Sequence, residues 1–254
     1  MHGNASLDDI AAYLDELLDA PKYAASEPDS NGLIFRAGAG VTKLAVAVNT
    51  SITAIVGAAK GGAQLLIVHH PPWAEVDRHL RDEKLGALEA SGVSLYAAHS
   101  SLDCAPMVGN GWALAALLGV TVEQTFMEYH GGHAGVAGLC DDGSFGALIQ
   151  RTSRALGVQV EAYQHAETFG RIAIVPGGGG NTADIDAARA IGCDTYITGE
   201  GGIFTRMFAK ECEMNLIFGT HQATEAPGIK GIGQLVSDHA QVPWEFIAES
   251  PDVF

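Results

Sequence analysis

The chain has 254 residues, long enough for one large domain or two small ones around a buried core. Its formal charge of −16 comes without any basic cluster, which argues against non-specific binding to nucleic acid or to an anionic membrane. Hydrophobic residues make up 47%, yet no run of about 18 apolar residues is present to span a bilayer.

The amino terminus, Met1-His2-Gly3-Asn4, lacks the charged and apolar regions of a signal peptide. Cys104, Cys140, Cys193 and Cys212 show no C-x-x-C spacing and read as reduced thiols. Both features lead to an expected cytoplasmic location. The acidic balance fits an ordinary acidic enzyme or a protein of a high-salt cytoplasm equally well.

Along the chain, Ser6 caps an expected first helix carrying Ile10, Leu14, Leu17 and Leu18 at helical spacing, and Pro21 is expected to end it. Pro28-Asp29-Ser30-Asn31-Gly32 is a turn cluster. Strands are expected at 44–48, 63–68 and 93–98, with helices at 56–60, 81–90 and 111–118 between and after them. A second set begins near Gly135, with helices at 145–156, 184–191 and 203–212. Its strands are expected at 159–163, 171–175, 195–198 and 216–219. This alternation predicts an α/β fold with mainly parallel sheets and right-handed crossovers.

Three apolar runs are each followed by metal-binding side chains. Leu65-Leu66-Ile67-Val68 leads into His69-His70-Pro71-Pro72. Leu95-Tyr96-Ala97-Ala98 leads into His99-Ser100-Ser101-Leu102-Asp103. Leu216-Ile217-Phe218-Gly219-Thr220 leads into His221-Gln222-Ala223-Thr224-Glu225. Each run reads as a buried strand, and ligands of open α/β sheets bind beyond strand carboxyl ends. Imidazole and carboxylate donors together suit a divalent transition metal. The donors outnumber what one four-coordinate ion needs, which points to two ions.

A His-His pair taken alone reads as a surface loop; the other two clusters reverse that reading. Asp103 and Glu225 each lie four residues beyond a histidine, so each pair faces one way if the segment is helical. His99 is open as a ligand, a proton carrier or a residue that orients a ligand. Glu225 suits a bridging role because it offers two oxygens. The run Gly177-Gly178-Gly179-Gly180 reads as a tight strand-to-helix turn ahead of an anion cradle, since no Gly-Lys-Ser/Thr follows. His130 and His133 read as loop residues, and no nucleophile elbow is present. Arg36, Arg78 and Lys230 are the cations nearest the motifs. If the third cluster joins the first two, the chain must return to its first sheet. Residues 1–125 plus 216–254 are therefore expected to form a metal-binding α/β domain, with 126–215 inserted as a second α/β domain.

At these residues the chain resembles the NGG-interacting-factor-like family of dinuclear-metal proteins, whose members are often named GTP cyclohydrolase I type 2 homologues. The family's His-His-Pro matches His69-His70-Pro71, and its His-Thr/Ser-x-Leu-Asp matches His99 to Asp103. Its Gly-His-x-x-Thr-Glu is similar to Gly219 through Glu225, with Thr220 inserted. Thr198-Gly199-Glu200 and the Gly177 run also resemble the family. The family's Trp-Asp-Asn-x-Gly-Leu corresponds to Pro28 through Leu33, where the tryptophan and the asparagine are missing.

The resemblance implies two interlinked α/β domains, a homohexameric ring and two divalent metal ions per chain (Zn, Mn, Fe or Ni). It makes His69, His70, Asp103, His221 and Glu225 the ligands. The expected grouping puts His69 with His221 and His70 with Asp103, bridged by Glu225. His99 is the expected proton carrier. The implied function is a metal-dependent hydrolase acting on a small molecule through a metal-activated water. The competing function is a non-enzymatic metal-binding or protein-interaction scaffold. Neither nucleic acid nor membrane is expected as a partner.

Overall fold

The computed structural model describes residues 4–140, 144–166 and 169–249. The chain forms two compact units, Met1–Ala105 with Ile229–Phe254, and Pro106–Gly228. Sequence reading drew these divisions at 125/126 and 215/216. The strands from 121 to 218 all pair within one sheet, which keeps the residues of both margins inside the second unit.

The first unit opens with β1 (Ala5–Ser6), α1 (Leu7–Leu18) and α2 (Ala20–Ser26). Ser6 accepts from the Asp9 amide, and Leu7, Ile10, Leu14 and Leu18 form the buried face of α1. Pro21 does not simply stop a helix. It occupies the first turn of α2, where a missing amide donor costs nothing, after Asp19 turns the chain with φ 51°.

Next come β2 (Asn31–Phe35), β3 (Gly40–Val41), β4 (Leu44–Asn49), α3 (Ile52–Lys60), β5 (Leu65–His70), α4 (Ala74–Asp77), α5 (His79–Ser91), β6 (Ser94–Ala98) and α6 (Ser100–Asp103). The order β13-β4-β5-β6-β2 makes the first sheet once β13 (Trp244–Phe246) returns to its edge. Its first four strands run parallel, and β2 closes the other edge antiparallel. Leu44 to Val48, Leu65 to Val68 and Leu95 to Ala98 are almost wholly shielded from solvent. Continuous apolar runs of this kind belong to parallel strands covered on both faces.

The second unit holds α7 (Asn110–Leu118), β7 (Thr121–Tyr129), β8 (Gly132–Leu139), α8 (Phe145–Leu156), β9 (Glu161–Tyr163), β10 (Arg171–Val175), α9 (Thr182–Ala190), β11 (Thr195–Thr198), α10 (Ile203–Glu211) and β12 (Asn215–Phe218). Its sheet, β7-β8-β10-β11-β12-β9, has three parallel strands at its centre and antiparallel strands on both sides. Sequence reading had no hairpin at β7–β8, because β8 carries three glycines and little β-propensity. His130 (φ 48°) and Gly131 (φ 80°) make its turn. His130 thus sits in a loop, whereas His133 lies in β8.

Alternation along β10 feeds two cores. Ile172 and Ile174 pack with Leu114, Leu148 and Ile217 on one face, while Ala173 and Val175 pack with Ile185, Tyr196 and Leu216 on the other. Each large side chain so buried contributes about 1.5–3 kcal/mol.

Helix α11 (His221–Ala240) carries the chain out of the second unit, which ends at Gly228. Pro227 interrupts its hydrogen-bond ladder one residue earlier. Among the described residues, no helix is long and apolar enough to cross a membrane.

Parallel strands gather polar residues at one edge of each sheet. In the first unit, β4, β5 and β6 point their carboxyl ends the same way, which brings Asn49, His69, His70 and His99 to one edge. In the second unit, β10, β11 and β12 do the same for Gly177, Glu200 and His221.

Candidate metal centre

In the first unit, both histidines of the pair belong to β5 as its last two residues, not to a loop beyond it. His69 is fully buried, and its Nδ1 lies 2.7 Å from the Ala98 carbonyl oxygen on the neighbouring strand. A carbonyl only accepts, so Nδ1 carries the proton and Nε2 keeps its lone pair. That lone pair faces Asp103, whose Oδ1 is 3.5 Å away. His70 Nδ1 lies 2.6 Å from Asn49 Oδ1. The two rings sit 4.6 Å apart and tilted by 42°.

His99 follows β6 and precedes the single-turn helix α6, whose Leu102 and Asp103 amides donate to its carbonyl. This turn places Asp103 on the histidine side, as the four-residue spacing predicts. The His99 ring is 5.0 Å from that of His69 and 5.6 Å from that of His70. One ligand atom from each of these three histidines falls within 4.8 Å of the others. His99 Nδ1 is 2.7 Å from Glu27 Oε1. Trp73 stands edge-on to His99 at 4.8 Å and donates its indole N–H to Ser30 Oγ at 2.8 Å. Ser30 occupies the motif position where the family carries asparagine.

In the second unit, His221 and Glu225 share one face of the first turns of α11, with Nε2 and Oε1 3.0 Å apart. Glu225 is 3% exposed. His221 Nδ1 is 2.9 Å from Glu200 Oε1, which extends from the end of β11. Burial pulls the His221 imidazolium down, but bonds to Glu225 and Glu200 outweigh it and raise its pKa to about 9. The inserted Thr220 caps α11 by accepting from the Ala223 amide at 3.3 Å, and takes φ 64° to do so.

The glycine run serves close approach in this unit. Gly177 has φ +68°, and a Cβ there would stand 2.0 Å from Glu225 Oε1 and 2.9 Å from His221 Nε2. Its carbonyl accepts from the Gly199 and Glu200 amides, and its amide donates to Thr224 Oγ1 at 2.9 Å. A cavity of about 450 Å³ opens beside it, lined by Gly178, Gly180, Asn181, Glu200, Gly201 and Gly202. Arg36 is engaged by Asp8, and Lys230 lies over the Phe246 ring, so neither is spare as a phosphate clamp.

These donors suit a divalent cation. His69, His70, His99 and His221 all turn Nδ1 to an oxygen atom, an arrangement typical of metal-bound imidazoles. Sequence reading missed the residues that supply this outer layer. Asn49 was detectable as the last residue of the neighbouring strand. Glu200 was noted in Thr198-Gly199-Glu200 without a role. Glu27 gave no signal, because it lies in the connection between α2 and β2 and meets His99 only through folding.

Residues 5–252 match the family model described as Duf34/NIF3 (NGG1p interacting factor 3). A GTP cyclohydrolase 1 type 2 homolog of Deinococcus radiodurans is 30% identical, covering 96% of this chain and 94% of that protein. The homolog of Pyrococcus horikoshii is 32% identical, covering 94% and 96%. Among solved structures, protein ybgI, of unknown function, superposes with a TM-score of 0.85 at 27% identity, covering 97% of this chain and 99% of that one. Reduced HcgD from Methanocaldococcus jannaschii gives a TM-score of 0.82 at 25% identity, covering 98% and 100%. With nearly its whole length inside these matches, the chain belongs to the Duf34/NIF3 family of GTP cyclohydrolase 1 type 2 homologues.

Proposed function

We propose that the chain is a dinuclear-metal hydrolase, with His69, His70, Asp103, His221 and Glu225 as ligands of two divalent ions. The observation that carries this reading is the shared pattern at the histidines, each with Nδ1 held by an oxygen, with the Nε2 atoms of His69 and His221 facing the Asp103 and Glu225 carboxylates. The approach of His69 Nε2 to Asp103 Oδ1 supports putting those two on one ion, in place of the grouping of Asp103 with His70. Bound metal would supply an activated water and polarise the group under attack.

The chain's own residues would do the rest. His99 accepts or returns a proton at Nε2. Trp73 covers one side of it and limits access of bulk water. The cavity beside Glu200 has room for a small molecule. Among the described residues, Asn181 and Glu200 are its only lining residues other than glycine, so it offers no cation for a triphosphate.

Elemental analysis of protein purified without added metal should give close to two equivalents per chain. Well under one equivalent after reconstitution with Zn, Mn, Fe or Ni would overturn the reading. A screen of nucleotides, phosphoesters and cyclic amides should then give turnover that disappears in Glu225→Gln. Glu225→Ala should lose more metal than His99→Ala, because Glu225 would hold metal directly while His99 would serve as the proton carrier.

The second reading is a partner-binding scaffold, favoured by the family description as an interacting factor. Metal at full occupancy with no turnover across the screen would support it. The proposed assembly is a homohexamer. Charges of −16 repel between subunits, so assembly should tighten across a potassium chloride series followed by light scattering.

A further inference from the structure

The geometry points to Glu27 as the positioning residue that fixes the His99 tautomer, holding its proton on Nδ1 and aiming the Nε2 lone pair at the histidine cluster. The inference rests on the reading of His99 as a working residue of the metal site.

Backbone amides can only donate, and two of them set the direction of the network. His99 N–H and Ser101 N–H both donate to Asn31 Oδ1, at 3.1 and 2.9 Å. His99 N–H also reaches the Ser30 carbonyl at 3.2 Å, but Ser101 N–H relies on Asn31 Oδ1, and Asn31 is 6% exposed, so its amide cannot turn over without leaving that buried donor unmet. Its Nδ2 is therefore committed to the opposite side. There it donates to Ser100 Oγ at 3.1 Å and to Glu27 Oε2 at 3.3 Å. Ser100, fully buried, donates its own hydroxyl proton to the same Oε2 at 2.7 Å.

Glu27 Oε2 thus faces two donors, and Oε1 remains to accept from His99 Nδ1 at 2.7 Å. The direction of every bond follows from the first. An inverted network would need a backbone amide to accept. Neutral imidazole carries one proton, so placing it on Nδ1 leaves Nε2 as an acceptor.

The substitution Glu27→Gln separates positioning from simple packing. Glutamine has nearly the same shape, but one end is an NH₂. Asn31 Nδ2 and Ser100 Oγ would still claim an oxygen, so the new side-chain amide would turn its NH₂ toward His99. Nδ1 would then have to accept, and the ring proton would move to Nε2. The acceptor facing the cluster would be lost with little change of volume.

The test is neutron diffraction from deuterium-exchanged, metal-free crystals at about pH 8.5, where an ordinary imidazole is neutral. Wild-type protein should show deuterium on His99 Nδ1 and none on Nε2. Glu27→Gln should show the reverse. Deuterium on Nε2 of the wild type overturns the inference, as does an unchanged tautomer in Glu27→Gln. Should that variant fail to fold, the wild-type map decides alone. The measurement uses no metal and no substrate. A wild-type Nδ1 deuteron together with failed metal uptake would remove the hydrolase reading and leave the positioning intact.

Discussion

Asn49 and His70 are direct partners in the β4–β5 register, and the Asn49 amide oxygen lies 2.6 Å from His70 Nδ1. Asn49 Nδ2 donates to Glu249 Oε2 at 2.6 Å, which fixes the amide with its oxygen toward the imidazole. Asn49→Ala should therefore weaken metal binding about 10–100-fold, the usual cost of losing an outer partner of a ligating histidine. Calorimetric zinc titration of metal-free protein checks this, and unchanged affinity would remove His70 from the ligand set.

Gly177→Ala should damage both the fold and the site. The backbone sits at φ +68°, and the new Cβ would press on Glu225 Oε1 and His221 Nε2. The conformational part alone costs about 1–2 kcal/mol. Gly178→Ala is the control, since its Cβ would meet nothing nearer than His221 Cε1 at 3.6 Å. Urea unfolding and metal content should separate the two variants; equal behaviour would contradict the close approach.

Metal uptake should release a proton from His221. Its pKa of about 9 exceeds the ordinary 6.5, so in metal-free protein the ring is charged at neutral pH. Its contribution to metal-free stability is full below 6.5 and is lost as pH rises through 9. Apparent metal affinity should run the other way, rising by about tenfold per pH unit from this group until near pH 9. Calorimetry in buffers of different ionisation enthalpy measures the released protons, and none released at about pH 7 would contradict the assignment.

Asp184 gives a pH effect away from the metal site. Burial pushes its carboxyl up to about 6, against opposing hydrogen bonds from Asn181. A raised carboxyl pKa means the folded state prefers the neutral form. Its stabilisation is full below 3.8 and is lost as pH rises through 6. Asp184→Asn should then stabilise the protein at about pH 7.5 by about 1 kcal/mol, after allowing for partial exposure. The gain should vanish near about pH 3.5, and thermal melts at the two pH values decide.

The elements with strong apolar patterns were legible from the chain. The runs at 65–68, 95–98 and 216–218 are strands of parallel pairs, and the 145–156 helix has the bounds its pattern gives. Elements without that pattern were not. Strand β8 is glycine-rich, and Pro21 opens a helix where proline alone reads as a stop.

The sequence by itself determined which side chains form the candidate metal clusters and that each cluster sits at a strand end. Residue type and local spacing decide both, and both are written in short segments. Only the tertiary structure decided which acceptor holds each histidine. Ala98, Asn49, Glu27 and Glu200 lie 29, 21, 72 and 21 residues from the imidazoles they orient. Strand order and parallel register bring these atoms together, and neither is fixed by any local pattern.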